Sequence, residues 1–178
     1  MSARVPKLIA TLLFASLFAM AQTRPITNPN KGHSNSRASK AGSTSSSAPD
    51  KALMRKIWDA WNTLDPANAA PFYDKGAERV FFDITPLKYA GWQAYATGAK
   101  DVLAGFQSLN ATVSDDAQVH TQGRLAWGTA TWHADTVMKD GSSSPLDGRW
   151  TVVWEKRGDK WLIIHEHVSV PLAAPEKK

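Results

Sequence analysis

The stretch Trp161-Leu-Ile-Ile-His-Glu-His-Val-Ser169 decides how this chain folds. Its aromatic and β-branched residues predict a strand, and Arg157-Gly-Asp159 just before it predicts a hairpin with Arg149–Lys156. Successive side chains of a strand point to opposite faces. Trp161, Ile163, His165, His167 and Ser169 are therefore expected on one face. Leu162, Ile164, Glu166, Val168 and Val170 fall on the other. The first set begins large and apolar and ends polar, as the wall of a deep pocket with a polar lining would.

Working back from this strand, Ala111–Ser114, Asp116–Gln122 and Arg124–Asp135 read as further strands, with Asp140-Gly141 as a second hairpin turn. Earlier, the period changes to that of helices. Asp50 is an N-cap, and Leu53, Ile57, Trp61 and Leu64 form one apolar stripe. Asp65-Pro66 stops that helix and starts a short second one reaching Phe72-Tyr73. A strand, Arg79–Thr85, precedes a third helix carrying Trp92, Tyr95, Ala99, Val102, Phe106 and Leu109 on one face. Helices followed by a run of antiparallel strands indicate an α+β domain. The natural packing is three N-terminal helices on a strongly curved, mixed or antiparallel sheet, with a pocket between them.

The chain has 178 residues, no cysteine and a formal charge of +5. Without cysteine there is no disulfide scaffold, thiol nucleophile or Cys-ligated zinc. Arg4 and Lys7 precede an apolar run from Leu8 to Ala21 with small residues at Ala19 and Ala21, the pattern of a cleaved export signal over 1–21. Residues 22–49, rich in Ser, Asn and Pro, are expected to be a flexible tether, and 173–178 a charged tail. The expected location is secreted or periplasmic, without stable membrane insertion. From Asp50 onward 15 basic residues face 16 acidic ones, so the positive charge belongs to the leader and tether. That leaves no basis for nucleic-acid binding by the folded part. No phosphate-binding glycine loop, Gly-x-Ser-x-Gly elbow or His-Glu-x-x-His helix is present, and no cofactor is implied.

Val80-Phe-Phe-Asp-Ile-Thr-Pro86 with Gly91-Trp92, Gly148-Arg-Trp-Thr-Val-Val-Trp-Glu-Lys156 and the final Trp-x-Ile-x-His-x-His-x-Ser pattern resemble the nuclear-transport-factor-2-like superfamily. The likeness is to its SnoaL-like and ketosteroid-isomerase-like branch. It covers residues 50–172 and implies a cone-shaped fold whose last strand turns its histidines into the cone. It specifies fold better than activity, because isomerases, hydrolases, cyclases, dehydratases and ligand-free adaptors share the superfamily.

The candidate catalytic residues are His165, His167 and Asp83. Imidazoles two positions apart can act as acid and base, or share a metal if His120, His133 or Asp83 supplies a third ligand. Otherwise the pair is a packed, hydrogen-bonded structural feature. Asp83, between Phe82 and Ile84, is either a desolvated general base or a cap of the turn through Thr85 and Lys88. Trp92, Tyr95, Trp132, Arg149 and Ser169 are candidate ligand contacts, although for Arg149 a pair with Asp147 or Asp135 at the sheet rim is the safer reading. Two functions are open. One is binding of a small, partly apolar molecule in the cone, with isomerase- or hydrolase-type proton transfer. The other is a non-catalytic module forming a homodimer through the sheet, with Trp150, Trp154, Val168 and Val170 as contacts if they face outward. A cavity ringed by the histidines favours the first, and one plugged by tryptophans the second.

Overall fold

The computed structural model describes residues 47–172, which lie within one compact unit. The expected leader, nearly all of the tether and the charged tail fall outside the described residues. Helix α1 (Lys51–Trp61) begins where Asp50 accepts a hydrogen bond from Leu53 N at 2.8 Å. Helix α2 (Pro66–Ala69) is capped by Asp65, with Pro66 in its first turn, and runs into a 3-10 turn over Ala70–Phe72. Two short strands follow, β1 (Val80–Phe82) and β2 (Tyr89–Ala90), then helix α3 (Gly91–Leu103). The remaining strands are β3 (Phe106–Val113), β4 (Gln118–Gln122), β5 (Leu125–Met138), β6 (Ser143–Arg157) and β7 (Lys160–Ser169).

The strands form a seven-stranded curved sheet in the order β2-β1-β7-β6-β5-β3, with β4 also on β5. It is mixed because β1 runs parallel to β7, pairing Val80 with His165 and Phe82 with His167. The helices cover its concave side, where Met54, Ile57, Trp150, Trp154 and Ile163 are almost fully buried. Asn62 fastens α1 to the edge strand β3, donating to the Ala111 carbonyl at 2.9 Å and accepting from Ala111 N at 2.8 Å. Those two bonds satisfy backbone groups that the edge would otherwise leave open.

Three expectations are corrected. The helical period through Phe106 and Leu109 breaks at Leu103. Phe106–Val113 instead gains a ladder with β5, from Phe106 opposite Met138 to Val113 opposite Trp132. Tertiary pairing outweighs the local period. Secondly, Trp150, Trp154 and Val168 point inward and are buried, so they are not contacts of an outer surface.

The third correction concerns β7. Val153 lies opposite His165 but Trp154 lies opposite Ile163, so Ile164 has no partner on β6. An extra residue in one strand of a pair is a β-bulge, and it reverses the facing of everything beyond it. Trp161 and Ile163 point inward before the bulge, and Glu166 and Val168 after it. His165 and His167 are turned to the outer face.

Gly148 sits opposite Trp132 with the indole lying over it. A Cβ at this position would stand 2.3 Å from Trp132 ring carbons and 2.5 Å from the Ser169 carbonyl oxygen. Gly148→Ala is expected to cost about 1–3 kcal/mol through overpacking. Urea unfolding measures it, and an unchanged midpoint would contradict this packing.

Candidate functional site

Between the helices and the concave face lies a cavity of about 240 Å³. Its wall is mostly aromatic and aliphatic, with Trp58 and Trp61 from α1, Tyr95 and Val102 from α3, Trp132 from β5 and Trp150 from β6. Ile84 and Val102 are partly exposed and mark the mouth, whereas Glu166, 2% exposed, and Trp150 lie deep. Two carboxyl groups reach this space, Asp83 and Glu166. No Lys, Arg or His is among its lining residues.

Two donors hold the Glu166 carboxyl. Tyr73 OH donates to Oε1 at 2.8 Å, and Trp150 Nε1 donates to Oε2 at 2.9 Å. Trp61 Nε1 donates in turn to the Tyr73 oxygen at 2.9 Å, making a relay from α1 to β7. Burial pushes the Glu166 carboxyl up to about 7, against the stabilising donors beside it, and nearby Asp83 adds to the rise. Burial likewise drives the Tyr73 and Tyr95 phenols well above their ordinary range.

Asp83 follows β1 and faces α3. Its Oδ1 accepts from Ile84 N at 2.7 Å and its Oδ2 from Tyr95 OH at 3.1 Å. Burial raises its carboxyl too, with those two donors opposing the shift. Thr85 and Lys88 do not hold it, so the turn-capping alternative gives way to a bond across to α3. A desolvated carboxylate bonded to a phenol, with a second carboxyl that titrates near neutrality, can accept, hold or return a proton.

The structure brings Asp83, Tyr95 and Trp132 together around this cavity, and the other expected residues elsewhere. His165 Nδ1 donates to the Val80 carbonyl at 2.7 Å. Its ring and that of His167 pack edge-on against Phe82, with centroids 5.4 and 5.6 Å away. Their contacts are those of a structural pair clamping β1 to β7. Trp92 is buried against Tyr73 and under Lys75 Nζ, which lies 3.7 Å from its ring centroid. Arg149 and Ser169 are neighbours on the outer side of β6 and β7. Arg149 borders a separate recess with Asp147, whose carboxylate is taken by His133 Nδ1 at 2.8 Å. Among the described residues no three His, Asp or Glu side chains are placed to hold a metal ion.

Glu166, Tyr73 and Trp150 were missed by sequence reasoning. One signal for Glu166 was present: alternation sets it among Ile164, Val168 and Val170, where a carboxylate is out of place unless it has partners.

The family model for the SnoaL-like domain matches residues 51–173. The chain belongs to this family. Among solved structures it is similar to a nuclear transport factor 2-like superfamily protein from Salmonella enterica, with 21% identity and a TM-score of 0.62. That match covers 72% of this chain and 96% of the other. A Streptomyces avermitilis protein of the NTF2-like family with a provisional dehydratase name gives 15% identity and a TM-score of 0.58, over 68% of this chain and 93% of that one. The association domain of Caenorhabditis elegans CaMKII gives 17% and 0.54, over 67% and 91%. At these identities the likeness is one of fold. No curated protein matches the sequence.

The raised Glu166 carboxyl ties stability to pH. The native state keeps this proton to higher pH than the unfolded chain, whose ordinary value is 4.5. Glu166 therefore costs nothing below about 4.5, and stability falls as pH rises toward about 7, by roughly 3 kcal/mol from this group. Glu166→Gln removes that fall. Urea unfolding at about pH 5 and about pH 8 tests it. An equal pH difference in variant and wild type would contradict the assignment.

Proposed function

We propose that this SnoaL-like domain is exported and binds a small, largely apolar molecule in the cavity between helices and sheet. Asp83 and Glu166 are the groups that orient it and move a proton. The observation that carries this reading is the cavity itself, an apolar, aromatic-walled space with two titratable carboxyls converging on it. Such a combination is the usual mark of a ligand or active site. The dehydratase name of one structural relative agrees with acid–base work in this fold. At about 240 Å³ the cavity is smaller than typical drug-sized sites, so the ligand is compact.

A neutral aromatic probe, 2-phenylethanol, tests the binding reading by thermal shift and tryptophan fluorescence. The wild type is expected to bind it. Val102→Trp places a ring at the mouth, from a partly exposed position that tolerates size, and should weaken binding about tenfold or more. Equal binding by the variant, or failure of the wild type to bind this or any like-shaped aromatic probe, charged or neutral, would overturn the reading.

A second reading, association of copies through the outer sheet face, is favoured by Leu125 and Trp127 on that face. They are 47% and 40% exposed, and Trp127 stacks on His120 at 5.3 Å. The contact set differs from the one expected from sequence, because Trp150, Trp154 and Val168 are inside. Trp127→Glu should shift sedimentation toward the monomer. A wild type that stays monomeric at high concentration excludes this association.

A further inference from the structure

Donor and acceptor accounting in the cavity indicates which ligands it accepts, and it rests on the binding reading above. The phenolic O–H groups there are already committed. Tyr95 donates to Asp83, and Tyr89 OH donates to the Thr85 carbonyl at 3.1 Å. Beneath the floor, Tyr73 donates to Glu166, as does the Trp150 indole. Thr136 Oγ1 donates to the Ser144 carbonyl at 2.6 Å. The indole N–H groups of Trp58 and Trp132 lack acceptors, but their nitrogens are buried. What the walls present is acceptor capacity: two carboxyl groups that make no ion pair among the described residues. A ligand whose polar end only accepts hydrogen bonds finds few free donors. A ligand whose polar end only donates finds two carboxyls waiting.

Charge points the same way. The groups facing Glu166 are Tyr73 after the 3-10 turn, Tyr95 on α3, Asp83 after β1 and Trp150 on β6, and none is a cation. Asp83 faces Tyr95 and has Tyr89 nearby. An anion would meet repulsion there with no basic residue to offset it. Indole and phenol rings from Trp58, Trp61, Tyr95, Trp132 and Trp150 form much of the wall, and aromatic faces attract cations, most strongly out of water. An ammonium group carries donors and no acceptor. We propose that the cavity selects a small apolar amine in its ammonium form, with the hydrocarbon part against the indoles and the nitrogen between Asp83 and Glu166.

The full chain is titrated calorimetrically with three probes of one shape: 2-phenylethylammonium, 2-phenylethanol and phenylacetate. At about pH 8 the ammonium is expected to bind at least about tenfold tighter than the alcohol, and phenylacetate weakest. Alcohol binding that equals or exceeds ammonium binding overturns the charge assignment while leaving a ligand-binding cavity. Failure of all three probes overturns both. Because the ammonium favours the ionised carboxyls, its affinity should rise between about pH 5.5 and about pH 8, with protons released into the buffer. A flat or falling affinity would count against the proposal. Glu166→Gln and Asp83→Asn should each lose most of the preference for the ammonium over the alcohol. Should a variant fail to fold, the proton release of the wild type, read as a dependence of binding heat on buffer ionisation enthalpy, decides the matter.

Discussion

A carboxyl group set into an apolar core is costly unless donors meet it, and Glu166 obtains them from separate parts of the chain. Tyr73 comes from the end of the helical segment and Trp150 from the neighbouring strand, while Trp61 on α1 supports Tyr73. Removing any one leaves a buried group short of a partner, which costs on the order of 1–3 kcal/mol. This network therefore ties helix to sheet at the point where the cavity reaches its floor. The same burial that makes it structurally demanding raises the carboxyl into the range where it can exchange a proton near neutral pH.

The aromatic residues around it serve packing and site together. Trp61, Tyr73, Trp92, Tyr95, Phe81 and Tyr89 form a run of ring contacts with centroids 4.6 to 6.3 Å apart. Such pairs add to simple area burial and hold the rings in defined orientations. Tyr95 belongs to this run and still keeps its hydroxyl on Asp83. A rigid support places the polar atoms, and the open volume lies next to them. On the other side of the sheet, His165 and His167 bracket Phe82 and join the short parallel strand to β7.

Much of the architecture was legible. Asp50 and Asp65-Pro66 announce two helix starts, and both cap as their side chains suggest. The turns at Gly141 and Gly158 adopt positive φ, which glycine permits without strain. The end of α3 was not legible, because Phe106 and Leu109 satisfy a helical period as well as a half-buried strand. Asp83 and Tyr95 were named from local surroundings and do meet, across twelve positions of sequence. Glu166 was not legible because strict alternation from Trp161 sets it on the opposite face, and only the bulge at Ile164 brings it inside.

Composition, capping residues and periodicity by themselves determined that this is an α+β domain with an aromatic-rich core and no excess positive charge in its folded part, while the likeness to the SnoaL-like kind rested on the quoted strings. Those properties arise from interactions between near neighbours in the chain. Which face of the last strand enters the cavity was decided only by tertiary structure. One unpartnered residue, Ile164, shifts the register between β6 and β7, and the pairing of two strands is not written in the alternation of either one. That shift turned His165 and His167 outward and gave the interior to Glu166.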